Sequence, residues 1–78
     1  YIPGYDNIVA VAPQHMPHSC GRCVLVRCGG RAIKAVVTDT CEACAANTKW
    51  IDLSSNMFSR FAPHDVGVLQ VDWDFVEC

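Results

Sequence analysis

Six cysteines fall within a chain of 78 residues, and this density constrains the fold more than any other feature. A chain this short buries only about 60% of the surface that its unfolded form exposes, so its hydrophobic core alone gives marginal stability. Small domains in oxidising compartments compensate with disulfides. We therefore predict one disulfide-stabilised domain over residues 1–78, secreted and active outside the cell.

Charge and hydropathy narrow the classes of partner. The chain begins at Tyr1 without a basic segment or a long apolar run, which predicts that no signal peptide is retained and that nothing spans a membrane. The formal net charge is -2 and the Lys and Arg residues are scattered, so no basic stripe is available for nucleic acid. We expect neither a membrane nor a nucleic-acid partner.

Apolar runs and turn residues indicate a mostly β chain. Residues 8–12 form a short apolar run that predicts a strand. Residues 24–28 and 31–38 flank Gly29 and Gly30, a pair that favours a two-residue hairpin turn. The end of the chain alternates, with Leu69, Val71, Trp73 and Phe75 on one face.

One short helix is predicted near the middle of the chain. Ser54 and Ser55 are favourable N-cap residues, and Met57, Phe58 and Phe61 follow at helical spacing before Pro63 ends the pattern. Several strands with a single helix fit a small β-barrel better than a helical bundle.

The cysteine spacing allows two interpretations. Cys20, Cys23, Cys41 and Cys44 form two C-x2-C pairs, a spacing typical of structural zinc sites. That interpretation leaves Cys28 and Cys78 unused and suits a reducing compartment better than a secreted chain. The disulfide interpretation places Cys28 opposite Arg31 in the hairpin and brings Cys20 within reach of Cys41 or Cys44. We favour disulfides for all six cysteines, no metal and no cofactor.

An ordered series of motifs spans most of the chain: Cys20-Gly21-Arg22-Cys23, Val37-Thr38-Asp39-Thr40-Cys41, Ile51-Asp52-Leu53-Ser54 and the final Val71-Asp72-Trp73-Asp74-Phe75-Val76-Glu77-Cys78. The series resembles the double-psi β-barrel family of barwin, the N-terminal domain of expansins and rare lipoprotein A-like proteins. The resemblance implies a small six-stranded barrel with one short helix. The family's usual first strand has no clear counterpart here, so the barrel is either complete or short of one strand.

The resemblance also implies one disulfide, between Cys23 and Cys78. Family cysteines resembling Cys20 and Cys41 commonly pair further upstream, so the pairing of Cys20, Cys28, Cys41 and Cys44 stays open. These four either pair among themselves or have partners in a longer precursor. Residues 1–7 could partly replace the first strand; without it, an open sheet edge would invite a dimer or a partner strand.

The same resemblance implies a polar groove that holds Asp39 and Asp52. In related hydrolases the counterpart of Asp52 is the general acid, while the base lies on the first strand, and inverting hydrolysis requires both. We therefore expect polysaccharide binding without efficient hydrolysis, with a weak glycoside hydrolase or a lytic transglycosylase as further alternatives. A structural role is also open, since Asp39 could cap a turn and Asp52 the helix.

Two tryptophans are predicted to have opposite roles. Trp50 adjoins a polar loop and is a candidate for stacking on a sugar ring, with Thr38 and Asn47 as neighbouring polar groups. Trp73 lies on the apolar face of the last strand and is predicted to be in the core.

The alternative function uses loops and not the groove. Some secreted barrels of this type inhibit cysteine proteases or act as defence or effector proteins. The Pro-rich loop at residues 13–19 and the loop at residues 44–49 are the surfaces such an inhibitor would use. His15, His18 and His64 are scattered and are interpreted as surface residues without a role. The predicted partner is therefore a cell-wall polysaccharide or a secreted protease.

Overall fold

A five-stranded sheet with the order β4-β1-β3-β2-β5 organises the part of the chain that the computed structural model describes, residues 7–78. The strands are β1 (Ile8–Val11), β2 (Cys23–Cys28), β3 (Arg31–Thr40), β4 (Ile51–Leu53) and β5 (Asp72–Val76), and the helix α1 is Ser55–Phe61. Short 3-10 turns occupy Pro13–His15, Glu42–Ala46 and His64–Val66. The prediction of a mostly β fold with one short helix is confirmed, and the described residues supply five strands of the six in a complete barrel. The suggestion that residues 1–7 replace a strand falls almost wholly outside the described residues.

The hairpin between β2 and β3 forms as the glycine pair predicts. Gly29 and Gly30 have φ angles of 58° and 84°, values that residues with a Cβ rarely adopt. The turn pairs Cys28 with Arg31 and, further along the ladder, Cys23 with Val36. The predicted register is therefore confirmed.

The core lies on one face of the sheet, and helix α1 packs against that face. Its fully buried members are Val9, Val11, Val24, Val26, Ala35, Val37, Met57 and Trp73. Helix α1 delivers Met57, and the hydroxyl of Ser54 caps that helix by accepting the Met57 N–H at 3.3 Å. Trp73 is only 2% exposed, which confirms the prediction of a core tryptophan.

The last strand is shorter than the alternating pattern predicts. β5 begins at Asp72, so Leu69 and Val71 precede it, although Val71 still packs against the core. Segment 67–71 pairs with no strand of the described part. The pattern thus identified the buried face correctly and overestimated the paired length.

The disulfides agree with the sequence predictions only in part. Cys23 and Cys78 are joined, the pair that the resemblance implies, and this bond ties the start of β2 to the end of the chain. Cys41 pairs with Cys44 across a four-residue loop, so the proposed pairing of Cys20 with either of them is wrong. Cys20 and Cys28 are free thiols, and the prediction that all six cysteines form disulfides is wrong as well.

The zinc interpretation of the cysteine spacing is also wrong. Three of the four cysteines in that set are in disulfides and therefore cannot act as thiolate ligands. Within residues 7–78 no group of three or more His, Cys, Asp or Glu side chains is placed to hold a metal ion.

In the same residues, no helix has the length and apolar character needed to cross a membrane.

Candidate functional site

Two aspartates predicted to form a polar site lie on the same face of the sheet. Strand β1 runs between β3 and β4, and Ala10 is opposite Asp39 on one side and opposite Asp52 on the other. Directly opposed residues point to the same side of a sheet, and their flanking strands are separated by two inter-strand spacings, about 9–10 Å. Because Ala10 is small, no large side chain stands between the two carboxylates.

A bulge explains why Asp39 faces outward. Val9 pairs with Val37, but the next residue, Ala10, pairs with Asp39, so Thr38 is the extra residue on β3. Regular alternation after the buried Val37 would turn Asp39 towards the core. The bulge shifts the alternation by one residue and brings Thr38 and Asp39 to the same depression.

This depression, which we call the acidic depression, is small and open. It has a volume of about 160 Å³, and its polar lining is Thr38, Asp39, Asp52 and Ser54. Both carboxylates are exposed. One oxygen of Asp39 accepts the N–H of Thr40 at 2.8 Å, whereas the side chain of Asp52 has no hydrogen bond or ion pair to any described residue. The suggestion that Asp52 caps α1 is wrong, since Ser54 is the cap.

Two further predicted site residues lie beside the acidic depression and not in it. Trp50 immediately precedes β4, two residues before Asp52, and is 52% exposed. Asn47 does not line the depression. Its carbonyl oxygen accepts the Trp50 N–H at 2.9 Å, and its side chain accepts the N–H of Lys49 at 3.0 Å. Asn47 therefore shapes the turn that leads to Trp50.

The two loops proposed for an inhibitor are joined to each other. The side-chain amide of Gln14 donates to the carbonyl oxygen of Ala45 at 3.0 Å. Nε2 of His15 donates to the carbonyl oxygen of Thr48 at 2.9 Å. We call residues 13–19 and 44–49, held together in this way, the paired loops. They form one continuous surface, a feature that their separation in sequence did not reveal.

The paired loops are anchored to the core through Trp73. Nε1 of Trp73 donates to the carbonyl oxygen of Lys49 at 2.7 Å, and Nζ of Lys49 donates to the carbonyl oxygen of Trp73 at 2.8 Å. The ring of His15 packs edge-on against Trp73 and Phe75, with centroids 5.7 Å from each. The interpretation of His15 as a surface residue without a role is therefore wrong, because it links both loops to the core.

A disulfide adds a second constraint on the paired loops. The bond between Cys41 and Cys44 closes the 3-10 turn that carries the second loop, and Cys44 is buried. Both loops carry exposed side chains, among them Pro17, His18, Ala46 and Asn47. The loops thus present a polar and small-residue surface on a rigid support.

Comparison with known proteins gives two kinds of relative. No family model matches the chain. The papain inhibitor of Streptomyces mobaraensis is 38% identical over 65 residues, which are 82% of this chain and 44% of that protein. The solved structure of a Streptomyces papain inhibitor superposes with a TM-score of 0.76 at 33% identity, covering 94% of this chain and 73% of that one. The chain belongs to the double-psi β-barrel family of this inhibitor.

Within this double-psi β-barrel family the structure also resembles an expansin. A mutant Clavibacter michiganensis expansin solved in complex with cellohexaose superposes with a TM-score of 0.84 at 22% identity, over 97% of this chain and 38% of that chain. At this identity the likeness shows the fold alone. The chain spans less than half the length of the curated papain inhibitor that it matches.

An exposed ion cluster of Arg27, Asp72 and Asp74 joins β2 to β5, and Lys49 of the paired loops lies 4.0 Å from Asp72. The guanidinium of Arg27 on β2 contacts Asp72 at 2.8 Å and Asp74 at 2.6 Å on β5. Its hydrogen bond to Asp72 is the largest cause that holds the pKa of that carboxyl below its usual range, and the same contacts raise the pKa of Arg27. All three side chains are solvent-exposed enough that the cluster contributes little to stability.

Proposed function

We propose that this protein inhibits papain-like cysteine proteases through the paired loops. The observation that carries the proposal is that the side chains of Gln14 and His15 join the two loops into one surface fixed to the core. The sequence relatives support it, since a protein with more than 30% identity over most of this chain is named as a papain inhibitor.

The rigidity of the paired loops suits inhibition. A binding surface that is already ordered loses less conformational entropy on association, and protease inhibitors generally bind with little backbone movement. Here His15, the Cys41–Cys44 disulfide and Trp73 hold the loops before any partner arrives. Trp50, half exposed beside the second loop, is a suitable anchor because tryptophan is enriched among interface residues that dominate binding energy.

The test is a titration of papain activity with the purified protein and two alanine-to-arginine variants. Ala46→Arg places a long charged side chain on an exposed position of the second loop, and Ala32→Arg places the same side chain on the exposed β3 end of the hairpin. We expect Ala46→Arg to weaken inhibition at least tenfold and Ala32→Arg to leave it unchanged. Equal inhibition by all three proteins, or none by the unmodified protein, would contradict the proposal.

The acidic depression favours a second candidate function, binding to structural polysaccharide without efficient hydrolysis. Asp39 and Asp52 are separated only by Ala10, and Trp50 offers a half-exposed ring on the adjoining surface. Carboxylates can accept hydrogen bonds from sugar hydroxyls, and an aromatic ring can cover the apolar face of a sugar. The fold likeness to an expansin solved with cellohexaose supports this candidate.

A pull-down on insoluble cellulose, chitin and peptidoglycan tests the second candidate beside the papain assay. Retention that is lost in Asp52→Asn and Trp50→Ala would support polysaccharide binding. The hydrolase and transglycosylase alternatives predict release of soluble sugar that Asp52→Asn abolishes. We expect no such release. The resemblance places the catalytic base on the first strand, and Asp39, the other carboxylate that lines the depression among the described residues, already accepts the N–H of Thr40.

A further inference from the structure

The two edges of the sheet differ in how their backbone groups are occupied. In an antiparallel pair, every second residue directs both its N–H and its C=O to the neighbouring strand, and the residues between direct theirs away. Trp73 on the β5 edge directs its carbonyl outward, where Nζ of Lys49 donates to it at 2.8 Å. The N–H of Trp73 lies beside the carboxylate of Asp72. Covering an edge with a loop is one device that blocks further pairing, and Lys49 of the second loop covers the β5 edge near its centre.

The β4 edge is unpaired among residues 7–78. Ser54 donates its N–H to the carbonyl of Ile8 at 3.0 Å, which fixes the alternation of the β1–β4 ladder. Asp52 then directs its backbone groups to Ala10, while Ile51 and Leu53 direct theirs away from the sheet. Only β1 pairs with β4 in the described part, so these two residues present two donors and two acceptors to the outside.

An apolar cleft of about 230 Å³ lies along this edge. Its apolar lining comes from Ile51, Leu53, Phe58, Val68, Leu69 and Val71, with Asp52 among the lining residues. Val68, one of these lining residues, is 82% exposed. Unpaired backbone groups beside an apolar cleft are the two features that recognition by strand addition uses.

The charge of Asp52 distinguishes between a second copy and a different partner. Suppose that β4 paired in antiparallel orientation with β4 of another molecule, using the outward N–H and C=O groups of Ile51 and Leu53. Ile51 of each molecule would then lie opposite Leu53 of the other, and the two Asp52 residues would lie opposite each other. Like charges directly opposite one another destabilise a sheet, and opposite charges stabilise it. A strand with a basic residue between two apolar residues instead places the base opposite Asp52 and the apolar side chains over the core face.

We propose that the β4 edge, Ile51–Leu53, binds an extended peptide strand of a partner protein in which a lysine or arginine is flanked by apolar residues. The flanking residues form hydrogen bonds with the backbones of Ile51 and Leu53. The basic side chain pairs with Asp52, whose carboxylate has no partner among the described residues. This proposal is independent of protease inhibition by the paired loops.

The test uses short fluorescent peptides and the full 78-residue chain in an anisotropy titration. The probe has two valines around a central lysine, and its matched control has glutamate at the centre. We expect saturable binding, with the lysine peptide about 2- to 30-fold tighter. Absence of saturable binding, or equal binding of the two peptides, would overturn the proposal.

Backbone methylation separates strand addition from simple charge attraction. N-methylation of a flanking valine removes a donor that faces β4, so the affinity should fall about 3- to 10-fold. N-methylation of the central lysine alters an N–H that points away and should have little effect. If both methylated peptides bind equally well, the peptide does not add as a strand.

Charge reversal identifies the residue responsible. Asp52→Lys should reverse the preference in favour of the glutamate peptide, while Asp39→Lys, on the same face but on β3, should retain the preference for lysine. Both variants are to be checked for an unchanged thermal midpoint. A concentration-dependent dimer of the unmodified chain that excludes the peptide would show that a second copy, and not a peptide, occupies the edge.

Discussion

The paired loops and the acidic depression show two ways in which one small sheet can present polar groups. In the paired loops, the polar groups contact one another and the core: His15 binds Thr48, and Trp73 binds Lys49. In the acidic depression, Asp39 has one local hydrogen bond and Asp52 has none to the described residues. Substitutions of these contacting groups in the loops should therefore affect stability and binding together, whereas substitutions in the depression should affect binding alone.

The two tryptophans give the largest expected contrast. Trp73→Ala removes a buried ring and the hydrogen bond that anchors the second loop, and should cost about 3–5 kcal/mol in unfolding free energy. Trp50→Ala removes a half-exposed ring and should change that free energy little. Urea denaturation of both variants measures the difference. Similar losses would mean that Trp50 is also structural.

The next effect concerns the Cys41–Cys44 disulfide. Replacing both cysteines by serine releases the four-residue loop and should cost about 2 kcal/mol in unfolding free energy, with weaker papain inhibition. Cys20→Ser, at an exposed free thiol, is the control and should cost nothing measurable. Alkylation of the folded protein without reductant should label Cys20 and Cys28 only. Four or more labels would contradict the disulfide arrangement.

His15 tests the link between the loops. His15→Phe keeps a ring against Trp73 and Phe75 but loses the donor to Thr48, so we expect a loss of about 0.5–1.5 kcal/mol in unfolding free energy. Papain inhibition should fall in parallel if the two loops must be joined. His18→Phe, in the same loop and exposed, is the matched control for stability only, since His18 belongs to the proposed inhibitory surface. Inhibition unaffected by His15→Phe would argue against the paired loops as the inhibitory surface.

The acidic depression should show almost no effect on stability. Asp39→Asn and Asp52→Asn should each weaken retention on polysaccharide, if that candidate function holds, while the thermal midpoint stays nearly unchanged. The reason is that Asp39 makes one hydrogen bond to its neighbour and Asp52 none to the described residues. Lower midpoints with normal retention would instead show that the two carboxylates are structural.

The smallest effect belongs to the Arg27 cluster and depends on pH. Hydrogen bonding to Arg27 lowers the pKa of Asp72, so its contribution to stability is present above the ordinary pKa of an aspartate and is lost as the pH falls through the lowered value. Asp72→Asn should lower the thermal midpoint slightly at pH 7 and by less at a pH low enough to protonate Asp72. Asp65→Asn, outside the cluster, should show no such dependence. A constant difference at both pH values would exclude this electrostatic origin.

Sequence patterns predicted the local structure of this chain better than its long-range contacts. The Gly29-Gly30 turn, the Ser54 cap and the burial of Trp73 each depend on neighbouring residues or on strand alternation, and the structure contains all three. The family resemblance supplied the pairing of Cys23 with Cys78, which no local pattern gives.

The errors concern one contact between distant segments, one tight local turn and one strand irregularity. The contact of His15 with Thr48 joins residues 33 positions apart, and no periodic pattern reports such a bond. Cys41 and Cys44 pair with each other because a 3-10 turn brings them together, a local geometry that apolar periodicity cannot indicate. The shared face of Asp39 and Asp52 followed from the resemblance, but the bulge that creates it was not foreseen.

That bulge makes the acidic depression tolerant of one change in chain length. Thr38 is the one additional residue on β3; if it were deleted, Asp39 would directly follow the inward-facing Val37, would still point outward and would still lie opposite Ala10. A single-codon deletion at this position would therefore remove the bulge and keep both carboxylates on one face. Among homologues, a gap aligned at Thr38 would then be compatible with the site wherever Asp39 and Asp52 are retained.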